Sequence, residues 1–357
     1  LTVSHSGIAP FAEERLETIR MIRDSAAAFS DVARARKLRF QGIGFDRDAF
    51  REMAELGWIG LAVPEDAGGA GLGLPEMVAL AEELGRALAP EPLIPAQLSA
   101  HVLAAAGETE LLASLLTGQS VVLTAWQDRA NTLEIATEAD APRRFVPMAA
   151  GATHFLWPVR EHGRVALHLL TMEEADLVAE ETQDGGHVGT VRPKPWHGHG
   201  PGRHLADDVA EALSEALDRA ALATAAYLLG GMEACFALTL DYLKQRQQFG
   251  RAIGTFQVLQ HKAADARIQI SLTRAAVEQA AEAGTPALTS RAKARASEAA
   301  MLVQQACLQL HGGIGYTDDY DSGLYLRRAM VLAPAFGGAA LHRRRYMALS
   351  PELEEAV

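Results

Sequence analysis

The sequence predicts a mainly α-helical protein with a central β domain: an N-terminal helical domain over 1–118, a β domain over 119–206, and a C-terminal helical domain over 207–357. Two observations carry this. Apolar residues recur three and four apart before Gly118 and again after Asp207, and the stretch between them is made of short β-branched and aromatic runs. Because helical and strand patterns are segregated rather than alternating, separate α, β and α domains are expected, not a doubly wound sheet.

In the first domain, Leu16, Ile19, Ile22, Ala26 and Phe29 mark one helical face, and Phe50, Met53 and Leu56 a second before Gly57. A glycine-rich turn, PEDAGGAGLGLPE, leads into the helix MVALAEELGRAL, with Pro75 near its first turn. Leu98, Val102 and Leu103 follow Pro95 on another helix, and Leu111, Leu112 and Leu115 lie on the next. The strands are expected in SVVLTAW, HFLWPVRE, RVALHLLT and DLVAEET. The segment VRPKPWHGHGPGRH, rich in proline, glycine and histidine, marks the end of this domain. The C-terminal helical domain is alanine-rich and broken only at Gly250–Gly254, Gly284–Pro286 and Gly312–Gly315.

Composition narrows the function. A formal charge of −12 argues against nonspecific binding to nucleic acid or anionic membranes. The chain has no uninterrupted apolar run of about 18 residues, so no membrane span is expected. The first residues, LTVSHSGIAPF, lack a basic start followed by an apolar block, as an export signal would need. Cys235 and Cys307 sit in apolar helical patterns and read as buried thiols of a reducing, cytoplasmic setting.

Some motifs invite stronger readings than they carry. Gly68–Gly73 does not match G-x-G-x-x-G and follows no strand, so it reads as a surface turn before a helix. His197, His199 and His204 lie in a polar linker without carboxylates at ligand spacing, and no metal site is expected. Arg327–Arg328 and Arg343–Arg345 read as solvated helix faces, with phosphate contact as the functional alternative.

Two segments carry chemistry. In YLKQRQQFGRAIGTFQVLQHKAAD, residues 242–265, a glycine-punctuated bend gathers Arg246, Gln248 and Phe249 on one side and Phe256 and Gln257 on the other. A planar guanidinium suits phosphate, amides suit ring heteroatoms, and phenyl rings offer a stacking face. In QACLQLHGGIGYTDDYDSGLYLRRA, residues 305–329, an apolar helix ends at His311, Gln309 lies just before that end, and Gly312–Gly313 permits close backbone approach. Two helix ends of this kind could grip one extended cofactor.

Together these segments resemble the acyl-CoA dehydrogenase family of flavoproteins. The chain matches its Y-x-x-x-R-x-Q-F-G motif with YLKQRQQFG followed by FQ and QH, its Q-x-x-G-G-x-G-Y motif with QLHGGIGYT, and an N-terminal motif with GWIGLAVPEDAGG and AEELG. The resemblance covers almost the whole chain in the same order. It implies an N-terminal helical domain, a middle β-barrel-like domain, here shortened, and a C-terminal four-helix bundle, with FAD as cofactor, an acyl-CoA thioester as substrate, an electron-transfer flavoprotein as electron acceptor, and a homo- or hetero-oligomer, dimer or tetramer. By motif match, Arg246, Gln248, Phe249, Gln257, Gln309, Gly312 and Gly313 are the expected cofactor-binding residues, partly across a subunit interface.

The chain departs from the family pattern where the reaction takes place. The family's usual catalytic glutamate falls on Phe336, sixteen residues beyond Tyr320, and phenylalanine cannot accept a proton. The alternative position for that glutamate falls near Ala220, which leaves Asp218 two residues away as a weak substitute and no assigned base. TAWQDRANTLEIATEAD replaces the family's flavin-ring segment in the β domain. The expected activity is therefore FAD-dependent α,β-dehydrogenation of an acyl-CoA without the usual glutamate. The alternatives are a non-catalytic subunit completing the FAD site of a partner dehydrogenase, or a binder of CoA thioesters or flavin.

Overall fold

The structure is a computed structural model, which describes residues 13–350 apart from Ser30, His162 and 197–199. Six helices make the N-terminal part: α1 (Glu13–Ala26), α2 (Val32–Leu38), α3 (Arg47–Glu55), α4 (Leu74–Arg86), α5 (Leu93–Ala105) and α6 (Thr109–Leu116). Their starts follow local chemistry. Asp46 caps α3 through the Asp48 amide at 2.9 Å, and Ala49, Phe50, Met53 and Ala54 then form its buried face. Before α4, Gly68 takes a left-handed conformation (φ 86°) that ends a short 3-10 turn. Glu76 then reaches back to the Gly73 amide at 3.0 Å.

The middle part is built of strands in two sheets. One has the order β1-β3-β4-β7, from β1 (Val122–Thr124), β3 (His154–Glu161), β4 (Arg164–Thr171) and β7 (Arg203–Ala206). The other has the order β2-β6-β5, from β2 (Arg143–Pro147), β5 (Ala175–Glu181) and β6 (His187–Pro193). The β1–β3 pairing is parallel and every other pairing in these two sheets is antiparallel. Trp157, fully buried, carries the Arg143 guanidinium over its ring at 4.5 Å. That guanidinium donates to the carbonyls of Glu138, Ala141 and Pro158. The proline- and histidine-rich segment, expected to end the strand region, instead joins β6 to β7, which pairs back onto β4.

The C-terminal part is a helical bundle of α7 (Ala210–Gln245), α8 (Gln257–Ala283) and α9 (Pro286–His311), closed by α10 (Ser322–Leu332) and α11 (Ala339–Ala348). Gly284, left-handed at φ 64°, stops α8, and Thr285 caps α9 through the Leu288 amide. Of the described helices, α7 alone has the length and apolar composition to cross a membrane, yet 78% of its most apolar stretch is buried inside the protein. It serves as the core helix. Cys235 on α7 and Cys307 on α9 are both buried free thiols.

The helical domains join through α4 and α7 at backbone distance. A Cβ on Gly230 would lie 1.9 Å from the Glu82 carbonyl oxygen, and one on Gly85 2.0 Å from that of Tyr227. Around this seam, Glu82 accepts from Arg23 at 3.1 Å, Arg86 at 2.8 Å and Arg274 at 2.6 Å, so one carboxylate links α1, α4 and α8. Glu233 on α7 shares Arg274 and Arg86.

Candidate functional site: a three-domain cleft and an exposed bundle end

A cleft of about 200 Å³ opens where the three parts of the chain meet. The α4–α5 connection contributes Pro90, Glu91 and Pro92; the β domain contributes Trp126, Asn131, Phe145, Met148 and Asp184; the bundle contributes Thr224, Tyr227, Arg328 and Phe336. Its backbone is unusual. Among the described residues, seven non-glycine residues have positive φ, and four of them line this cleft: Asn131 (54°), Phe145 (60°), Met148 (52°) and Phe336 (53°). Each such conformation costs about 1–3 kcal/mol and persists only where the surroundings enforce it, as they do at functional sites.

The walls are mostly apolar, with two buried ion pairs among them. Arg328 donates to Asp184 at 2.7 Å, and Arg34 to Glu91 at 2.5 Å. Tyr227 donates its hydroxyl to the Ala89 carbonyl at 3.0 Å, and burial pushes its pKa up to about 12. Burial likewise raises Glu91, with the Arg34 charge opposing, and its Oε2 is buried without a hydrogen-bond partner. Phe336 lies in the wall formed by the loop between α10 and α11. No other carboxylate lines the cleft.

The seven expected cofactor residues lie elsewhere. Arg246 ends α7, Gln248 stands in a two-residue strand with Phe249 next to it, Gln257 begins α8, Gln309 is in the last turn of α9, and Gly312 and Gly313 follow that helix. All seven are exposed, Phe249 at 91%, and none lines the cleft. The fold brings the two motifs to one end of the bundle. Tyr242, at the end of α7, lies 4.7 Å from the His311 ring and 5.8 Å from that of Tyr320. A Cβ on Gly254 would meet the Leu243 carbonyl at 2.9 Å, so the bend folds tightly back on α7.

The chemistry of this end suits a dinucleotide. The Arg246 guanidinium has no hydrogen-bond or ion-pair partner among the described residues and is free for a phosphate. Phe249 packs edge-on against Phe256 at 6.1 Å, and Arg251 covers the Phe256 ring at 4.2 Å. Nothing lies within 4 Å of a Cβ on Gly312 or Gly313, so their backbone is open to a ligand.

Other expected sites are revised. Asp218 is held by Arg345 at 2.8 Å and does not line the cleft, which removes it as a base there. Arg327 pairs with Asp318, Arg328 with Asp184, Arg343 with Glu298 and Arg345 with Asp218. Arg328 and Arg345 are therefore counter-ions within the fold, whereas Arg343 and Arg344 stand on an exposed helix face as expected. His197 and His199 lie outside the described residues, while His204 pairs with Asp207 at 3.0 Å. Among the described residues no group of three His, Cys, Asp or Glu side chains could hold a metal ion. Sequence reading missed Glu91 and Arg328 as cleft residues, because a lone charge in a proline-rich turn or on an arginine-rich helix gives no sign of burial.

The acyl-CoA dehydrogenase N-terminal domain model matches residues 16–119 and the C-terminal domain model residues 210–348. The acyl-CoA dehydrogenase IpdE2 of Mycobacterium tuberculosis is 32% identical over 321 residues, covering 89% of this chain and 91% of that protein. The chain belongs to the acyl-CoA dehydrogenase family. Among solved structures of this family, a steroid acyl-CoA dehydrogenase variant, Tcur3481-Tcur3483, superposes with a TM-score of 0.82 at 30% identity over 96% of this chain and 99% of that one. A chain of the ChsE4-ChsE5 complex of M. tuberculosis does so with a TM-score of 0.82 at 26% identity, over 96% of this chain and 98% of its own length. The acyl-CoA dehydrogenase architecture of helical, β and helical parts is thus present throughout.

Proposed function

We propose that this acyl-CoA dehydrogenase chain is a subunit of an FAD-dependent, heteromeric enzyme, and that it completes the cofactor site of a neighbouring subunit while lacking a free base of its own. The observation that carries this is the split between its two sites. The dinucleotide-type groups stand fully exposed on the outside of the bundle, as a contact to a neighbour's cofactor requires, while the cleft presents Phe336 where the family places its glutamate. Two neighbours in fold, named as a ChsE4-ChsE5 complex and as Tcur3481-Tcur3483, carry two-component names, which supports the same reading for this chain. The division into three domains at 118 and 206, a cytoplasmic setting and an electron-transfer flavoprotein as acceptor belong to the same proposal.

FAD bound at the bundle end would supply the hydride acceptor for α,β-oxidation of an acyl-CoA thioester. Arg246 would neutralise pyrophosphate charge, Gln248, Gln257 and Gln309 would hydrogen-bond polar edges, Phe249 would stack, and Gly312 and Gly313 would let the backbone approach. In this chain's own cleft, Phe336 excludes water and leaves the α proton without an acceptor. Loss of a general base slows such a step about 10²–10⁴-fold, so the partner subunit must provide it.

A second reading rests on Glu91, whose raised pKa and unpartnered oxygen would suit a relocated base for autonomous acyl-CoA oxidation. It ranks second because that carboxylate has no solvent-accessible surface and is held by Arg34. Visible spectra of the chain purified alone and co-expressed with a partner dehydrogenase separate the two. The subunit reading expects a colourless chain that gains a flavin band with its partner and loses flavin on Arg246→Ala. Stoichiometric FAD in the isolated chain, bleached by an acyl-CoA, would overturn it.

A further inference from the structure

Lys293, in the middle of α9, is fully buried, and no carboxylate pairs with it among the described residues. Burying an ammonium without a counter-ion is costly, and burial lowers the Lys293 pKa to about 7. Its three hydrogens all have acceptors: Ser297 Oγ at 2.9 Å, the Ala333 carbonyl at 2.8 Å and the Gly337 carbonyl at 2.9 Å. Those carbonyls bracket Pro334, Ala335 and Phe336, which line the cleft. The same loop is held at three further points, by Ser297 Oγ donating to the Ala333 carbonyl at 2.9 Å, by His342 Nε2 donating to the Phe336 carbonyl at 2.8 Å and by the Gly338 amide donating to Asn131 Oδ1 at 3.0 Å. Phe336 sits between these anchors with its left-handed backbone, a conformation a free loop would relax.

We infer that Lys293 is a positioning residue whose buried ammonium clamps the 333–338 loop and so fixes Phe336 in the wall of the cleft, setting the bulk of ligand the cleft admits. What the wall faces rests on the proposed function; the clamp does not. The arrangement distinguishes positioning from simple stabilisation. Methionine at 293 would relieve the buried charge and fill similar volume, so the bundle keeps its core while the loop loses its tether. The charged groups around the clamp are His342, whose pKa burial holds down to about 4, and Arg345, paired with Asp218, both on α11 or against it. His342 is therefore neutral near neutral pH, where Lys293 is poised to titrate.

Hydrogen-exchange mass spectrometry on the full chain, with its partner if it purifies as a complex, tests this with Lys293→Met and Lys293→Gln. Lys293→Met is expected to speed exchange across 333–342 by roughly tenfold or more while the centre of α7, residues 222–232, is unchanged. Lys293→Gln, which keeps two donors, restores part of the protection. In the wild type, loop exchange corrected for its intrinsic pH dependence rises between about pH 6 and 8 as the ammonium loses a donor, and Lys293→Met flattens that profile. A folded variant with unchanged loop exchange, or exchange raised uniformly through the protein, overturns the assignment. Should Lys293→Met not fold, the glutamine variant decides alone, loop exchange no faster than in the wild type refuting the clamp. No measurement here uses flavin, so the proposed function can fail while the clamp stands.

Discussion

Glu82 is almost inaccessible and accepts from three arginines on three helices. Burial alone would raise its pKa, but the Arg274 and Arg23 charges and hydrogen bonds outweigh it and hold the carboxyl at about 2, below an ordinary value of 4.5. A lowered folded-state pKa stabilises the fold fully above the unfolded value, and that contribution is lost as the pH falls through the folded one. Stability is therefore expected to drop between about pH 4.5 and 2 in the wild type. Glu82→Gln should cost about 1–3 kcal/mol near neutral pH, since it removes a shared charged acceptor while the three partly exposed guanidiniums keep Glu83, Glu233 and Glu278, and should lose this acid sensitivity. Urea denaturation across pH checks both. None of this was legible beforehand, because AEELG matches a family motif without saying which glutamate is buried. The proposed cofactor residues, by contrast, were named from sequence at this scale, as their types and spacing express their chemistry directly.

Among elements, the α4–α7 seam is the tightest. Ala at Gly230 would press its Cβ against a backbone carbonyl oxygen, which cannot rotate away as a side chain can. Gly230→Ala is expected to destabilise by about 3 kcal/mol, at the upper end of overpacking, or to separate α4 from α7. A lowered thermal midpoint for Gly230→Ala, against little change for Gly231→Ala, whose Cβ would meet only ordinary contacts at 3.5 Å and beyond, would check this. Glycine pairs inside helical patterns gave no such signal in sequence, since Gly230–Gly231 reads only as a weak point in a helix. Most helices and strands were legible, because their period and punctuation are local. Strands β2, β6 and β7 were not, since RRFVP and HVGTVRP mix charge, glycine and proline into short runs and the four residues of β7 lie next to a proline-rich linker.

For the molecule as a whole, the cleft exists only once the three parts dock. Arg36 and Arg39 on α2 reach Asp321 at 2.7 Å and Asp318 at 2.6 Å near the end of the bundle, and Asp184 of the β domain reaches Arg328. On the outside, α8 keeps Val258, Ile268 and Leu272 exposed at 63, 54 and 52%, on a long helix flanking the cofactor-type bend. Such an apolar stripe beside the exposed bend fits the subunit contact proposed above. Ile268→Glu with Leu272→Glu is expected to lower the assembly's mass by one or more subunits in light scattering while leaving the monomer's circular dichroism unchanged; an unaltered mass would exclude this face. The sequence by itself determined the family and the order of helical and β parts, and supplied the motif residues and the Phe336 on which the proposed roles rest. These depend on residue type and short spacing. Only the tertiary structure decided which charges are buried, that Asp218 serves Arg345, that Lys293 tethers the loop of Phe336, and that the two motifs share one exposed end of the bundle. Those facts arise from contacts between residues far apart in the chain, which no local pattern encodes.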